Sequence, residues 1–147
     1  MAIYNGNAFT VLPKAIKDLP VLETLWLDSC PALDFEKELE KIQELPLKNV
    51  SLLGNNIAVF PGALKNISTL QELNMNSNYL NDTVQLLKDL STLSLKKLDI
   101  RFMGNAVISL DEAKAIIPTL EKIDCDPRSS EQYTADITSW LTKELAT

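Results

Sequence analysis

Cys125 stands between Asp124 and Asp126, and with Asp99 these are the groups best placed to attempt chemistry. A thiol attacks only as its thiolate, so it needs a neighbouring base. The 147-residue chain has no histidine, which removes the commonest general base and the commonest nitrogen ligand for zinc. Catalysis would fall to paired carboxylates such as Asp99 and Asp124, which would require a deep pocket around them. Calcium would require about six to eight oxygens on a shaped loop. The expectation is therefore no enzyme, no metal and no cofactor. Recognition is the better use of the remaining residues. Trp and Arg are enriched among the side chains that dominate interface energies, which singles out Trp26 and Arg101, with Asp28, Leu53, Asn74, Asn76, Asp99 and Phe102 around them.

The positions of these residues follow from a repeat. Leu22, Leu25, Leu27 and Cys30 have the spacing L-x-x-L-x-L-x-x-C. The spacing recurs at Leu47, Val50, Leu52, Asn55 and Ile57; at Leu70, Leu73, Met75, Asn78 and Leu80; at Leu95, Leu98 and Ile100; and at Leu120, Ile123 and Cys125. Matching positions are 23 or 25 residues apart. An incomplete earlier copy runs through Tyr4, Asn7, Phe9, Leu12, Pro13, Ile16 and Leu19. The alternation x-L-x-L-x is what a short strand needs when one face is buried and the other wet.

These residues resemble the leucine-rich-repeat (LRR) family, whose consensus L-x-x-L-x-L-x-x-N/C-x-L covers about residues 2 to 128, with Asn or Cys kept at Asn7, Cys30, Asn55 and Asn78. The resemblance implies an α/β fold: a right-handed solenoid with a curved parallel sheet on the concave side, helices and short turns on the convex side, and partner proteins bound to the concave strands. The fourth full copy departs from the consensus. Met103 falls on the Asn position and Asn105 comes two residues late, so a distorted turn is expected beside an intact strand.

Between the strands, Pro13 and Pro61 favour short, extended or single-turn returns. Asp34 is placed to cap a helix reaching about Leu45, Asn81 or Asp82 one reaching about Leu90, and Ser109 with Glu112 forms a capping box before Ala113, Ile116 and Ile117. Asn at the turn position can donate to and accept from backbone groups of adjoining turns, so these residues, with Cys30, read as a structural ladder. Cys125 reads as a buried strand residue. Four rungs would hold Cys30 and Cys125 about 19 Å apart, beyond the roughly 7 Å limit for a disulfide. Reduced thiols suit a cytoplasmic setting.

Residues 1–128 are thus expected to form the repeats, and residues 129–147 a capping helix. In that helix Tyr133, Ile137, Trp140, Leu141 and Leu145 make one apolar stripe. The amino end shows no comparable cap, which predicts a monomer or weak association through that end, or a piece of a longer protein.

The wet strand positions form three columns. The first is Ile3, Trp26, Ser51, Asn74, Asp99 and Asp124. The second is Asn5, Asp28, Leu53, Asn76, Arg101 and Asp126, and the third is Gly6, Ser29, Gly54, Ser77, Phe102 and Pro127. Asp99, Asp124 and Asp126 predict an acidic carboxyl-terminal half, partly offset by Lys96, Lys97, Arg101 and Lys122, to which a basic peptide would be drawn. A net charge of −6 opposes nucleic acid. No apolar run approaches the roughly 18 residues that span a bilayer, and the amino terminus has no export signal. Sequons stand at Asn49, Asn66 and Asn81; a glycan at the first would sit on the strands, which argues against a secreted glycoprotein. The sequence therefore predicts a cytoplasmic module that binds a protein or peptide, or else a structural or targeting segment of a larger protein.

Overall fold

A computed structural model describes residues 1–4, 6, 10–80, 82–103 and 108–125. It is an α/β architecture built on one six-stranded parallel sheet whose strands lie in chain order. The strands are β1 (Ala2–Ile3), β2 (Thr24–Trp26), β3 (Asn49–Ser51), β4 (Glu72–Asn74), β5 (Lys97–Asp99) and β6 (Lys122–Asp124). Their register aligns Ala2, Leu25, Val50, Leu73, Leu98 and Ile123 as one row, and Ile3, Trp26, Ser51, Asn74, Asp99 and Asp124 as the next.

Two further rows flank the first. Leu22, Leu47, Leu70, Leu95 and Leu120 are buried before the strands, and Leu27, Leu52, Met75 and Ile100 after them. A side chain on one strand has its counterpart about 4.8 Å away on the next, so a short aliphatic motif repeated at near-constant spacing becomes a continuous wall. The rows merge into one core with Ile16, Leu39, Ile42, Leu64, Ile67, Leu87 and Ile117 from the return segments.

The returns form a second layer and are of two kinds, as the prolines and caps predict. Pro13 and Pro61 precede 3-10 helices over Lys14–Asp18 and Gly62–Asn66. The longer returns carry α1 (Phe35–Glu40), α2 (Thr83–Leu90) and α3 (Leu110–Ile116). Asp34 caps α1 by accepting from the Lys37 N–H, and Asp82 caps α2 by accepting from the Gln85 N–H. Ser109 and Glu112 form the reciprocal capping box of α3.

α1 is shorter than expected, ending at Glu40 rather than near Leu45. From there the backbone closes by i to i−3 bonds, Ile42 N–H to Leu39 O and Leu45 N–H to Ile42 O. Pro46 disfavours a helical Leu45, and the tightened path delivers Leu47 to its buried row.

The ladder holds the turns together. Asn55 Nδ2 donates to Leu27 O at 2.8 Å and its Oδ1 accepts from Cys30 N–H at 2.5 Å. Asn78 Nδ2 donates to Leu52 O at 2.9 Å and Met75 O at 2.8 Å, while its Oδ1 accepts from the N–H groups of Asn55 and Ile57. Cys30 takes the same role with one donor fewer, its Sγ reaching Tyr4 O. At the fourth copy Met103 is buried without a ladder bond to offer. β5 keeps its register there, and Asn105 lies outside the described residues.

Cys30 and Cys125 are both free thiols. Cys125 is half-buried rather than fully inside: it follows the last residue of β6, and its Sγ donates to Ile108 O at 3.2 Å. The expected capping helix over 129–147 and the ladder position Asn7 also lie outside the described residues. Among the described residues no helix is long and apolar enough to cross a membrane.

Candidate functional site

The open face of the sheet carries the first column, in the order the spacing predicts. A trough of about 310 Å³ runs along it, touched by Trp26 and Asp28 on the β2 side, by Ser51 and Asn74 in the middle, and by Asp99 and Asp124 on the β6 side. The trough spreads over five strands and is open to solvent. Trp26 is 37% exposed and its neighbour Ile3 49%. An indole left partly in water on a strand face has apolar area still to bury.

The second column is less available than its alternation implied. Asn76 is only 6% exposed and does not face solvent as a contact residue. Its N–H donates to Asn74 Oδ1 at 2.9 Å and its Oδ1 accepts from Ser77 Oγ at 2.6 Å. Asp28 is half-buried and accepts from Ser51 Oγ at 2.5 Å and from Leu53 N–H at 3.1 Å. Leu53 is also half-buried. Asn5 and Asp126, the ends of this column, fall outside the described residues.

The contacts of Asp28 reach the next rung, whereas that of the Asn76 N–H follows a local device. Asn74 and Asp99 each accept from the N–H two residues ahead, Asn76 and Arg101 respectively. Asn and Asp favour such short side-chain to backbone bonds where a chain leaves a strand and turns. An Asn or Asp in the first column was the available signal that part of its polarity is spent on its own turn.

The charges pair with one another. Arg101 grips Asp99 with two bonds, Nε to Oδ1 at 3.1 Å and a terminal guanidinium nitrogen to Oδ2 at 2.7 Å. Burial alone would raise the pKa of Asp99. Arg101 outweighs it through its side-chain bond, its backbone N–H and its charge, with a smaller bond from Asn76, so the carboxyl is held below its usual value. The same pair pushes the Arg101 guanidinium further toward its charged form. Lys97 reaches Glu72 at 3.5 Å and Lys122 reaches Asp124 at 3.5 Å. The offset expected within the acidic half is present: its described carboxylates Asp99 and Asp124 pair with Arg101 and Lys122 of the same surface.

The third column is a line of backbone turns. Gly6, Ser29, Gly54, Ser77 and Phe102 all have positive φ, between 54° and 68°. At Gly54 the φ of +68° and a Cβ position 3.4 Å from Ser29 Oγ favour a residue without a side chain. Phe102 holds the same left-handed conformation with a 66% exposed ring, which costs a bulky residue about 1–2 kcal/mol. The alternation of Gly and Ser along this column was the missed signal, and Phe102 is its exception. Of the residues singled out for binding, Trp26, Arg101 and Phe102 are exposed, whereas Asp28, Leu53, Asn74 and Asp99 are half-buried.

Asn49, the first sequon residue, lies on the trough and donates through Nδ2 to Thr24 Oγ1 at 3.2 Å. Asn66 is exposed on the return layer, and Asn81 is outside the described residues. Among the described residues no group of three His, Cys, Asp or Glu side chains is arranged to hold a metal ion.

No protein-family model matches the chain. Over 123 aligned residues, 81% of this chain, it is 31% identical to a protein of Schizosaccharomyces pombe named adenylate cyclase. The chain spans 7% of that protein's length.

Proposed function

We propose that the chain is an LRR solenoid, with the sheet on its concave side, that binds a partner protein or peptide across the trough. The observation that carries the reading is Trp26, an indole 37% exposed on a strand face whose counterparts on the next strands are small or polar. It anchors the partner, with Ile3 beside it and the half-buried amides of Asn49 and Asn74 supplying directional bonds. Arg101 and Phe102 mark the far edge. The chain acts without catalysis: Asp99 is held by Arg101, and the trough beside it is open to solvent. No cofactor is required, and the partner is neither nucleic acid nor membrane.

The test is recovery of a partner from lysate by the immobilised chain. Trp26→Ala with Arg101→Ala should abolish recovery of proteins held by the unaltered chain, with less than a few degrees' change in melting temperature. Unchanged recovery removes this face as the interface.

A second reading is favoured by the similarity to 7% of a much larger protein: the repeats are one segment of a multidomain chain and position its other parts. The full reading frame discriminates. Further domains in the same frame, together with an interface that survives Trp26→Ala, support the segment.

A further inference from the structure

A second cavity lies in the return layer, away from the sheet face. It has about 360 Å³, within the size range of small-molecule sites, and is lined by Val11, Leu12, Pro13, Ile16 and Ile42 together with Lys14, Lys17 and Lys41. Leu12, Ile16 and Ile42 are core residues and form an apolar floor. No carboxylate is among the described lining residues. Three lysines around an apolar floor are unexpected in a chain of net charge −6.

Glu38 braces two residues of this lining. It is 2% exposed, and its two oxygens hold two lining elements: Oε2 accepts from Leu12 N–H at 2.9 Å, and Oε1 accepts from Lys41 Nζ at 2.8 Å. A buried carboxylate thus joins the 10–13 segment to α1 and sets one ammonium at the cavity. It balances only Lys41. Lys14 and Lys17 make no ion pair among the described residues. Their stems can lie along the apolar wall while the charges stay at the solvent edge.

We propose that this cavity binds an anionic amphiphile, a medium-chain aliphatic carboxylate, with its chain along Val11 and Pro13 above Leu12, Ile16 and Ile42 and its head group between Lys14 and Lys17. The complementarity is twofold. Exposed Val11 and Pro13 offer apolar area without a polar partner for a second head group, and the rim offers two uncompensated cations for one carboxylate. The site is independent of the trough.

The test is calorimetric titration of the whole chain with dodecanoate below its micellar range, against dodecyltrimethylammonium, which has the same chain length and the opposite charge. Dodecanoate should saturate at one molecule per chain and the cation should bind far more weakly. Lys14→Ala with Lys17→Ala should weaken dodecanoate about tenfold, with far-UV circular dichroism unchanged. Val11→Trp, at an exposed wall position, should block the cavity without touching a charge and keeps the test decisive if the double variant misfolds. Equal binding of the two amphiphiles, no saturable binding, or dodecanoate binding that survives Val11→Trp would overturn the assignment. So would saturable binding of an acidic peptide where dodecanoate fails.

Discussion

Replacing Asn78 with Ala should be among the most damaging single changes in the chain. The side chain is 1% exposed and accepts from the N–H groups of Asn55 and Ile57, while donating to the carbonyls of Leu52 and Met75 and, at 3.4 Å, to that of Asn76. Truncation takes this partner from the first four, whereas Asn76 O keeps the Gly54 N–H. A buried donor left without a partner costs about 1–3 kcal/mol, and carbonyls with a second lone pair lose less. Allowing for partial relaxation, the loss should be about 3–5 kcal/mol, a large share of the 5–15 kcal/mol that holds a typical domain. Asn55 makes one bond in each direction, to Cys30 N–H and Leu27 O, so Asn55→Ala should cost about half as much. Urea unfolding followed by circular dichroism reads both as a fall in midpoint at constant slope. An Asn78→Ala loss below about 1 kcal/mol, or an Asn55→Ala loss that equals or exceeds it, would refute the claim that the ladder bonds set the rank.

Two further predictions concern stability. Burial would raise the pKa of Glu38, but the bonds from Lys41 and Leu12 N–H and the charge of Lys41 hold it below its usual 4.5. A depressed folded value means stability present above the unfolded pKa and lost as pH falls through the folded one. Glu38→Gln should therefore lower stability at neutral pH and flatten its decline below about pH 4.5, read as melting temperature against pH; an unchanged acid slope would exclude Glu38 as a contributor. Phe102→Gly should raise stability by up to about 1 kcal/mol, because glycine takes φ near 54° without the penalty a bulky side chain carries. A clear fall in denaturation midpoint would show instead that the Phe102 ring stabilises the fold by more than its backbone costs.

Much of the site's placement was legible because strand alternation and a near-constant repeat leave little freedom. Given Leu25, Val50, Leu73 and Leu98 in one row, Trp26, Ser51, Asn74 and Asp99 must share the opposite face. The caps at Asp34, Asp82 and Ser109 were equally readable, since each satisfies N–H groups a few residues away. The end of α1 was less so: the need to bring Leu47 into its row outweighs the helical pattern of the residues before it.

The linear chain by itself determined the strands, their order and which residues face the core, because those depend on periodicity and on backbone bonding that every rung repeats. Only the tertiary structure decided what the outward side chains do. Asn76 is buried by its own turn, and Asp99 is neutralised by Arg101 rather than offered to a ligand. Glu38, one more charge in an acidic stretch of sequence, becomes a buried brace between two residues that line an apolar cavity. Such outcomes turn on side-chain reach over a few ångströms, where several partners of similar chemistry compete and only packing selects among them.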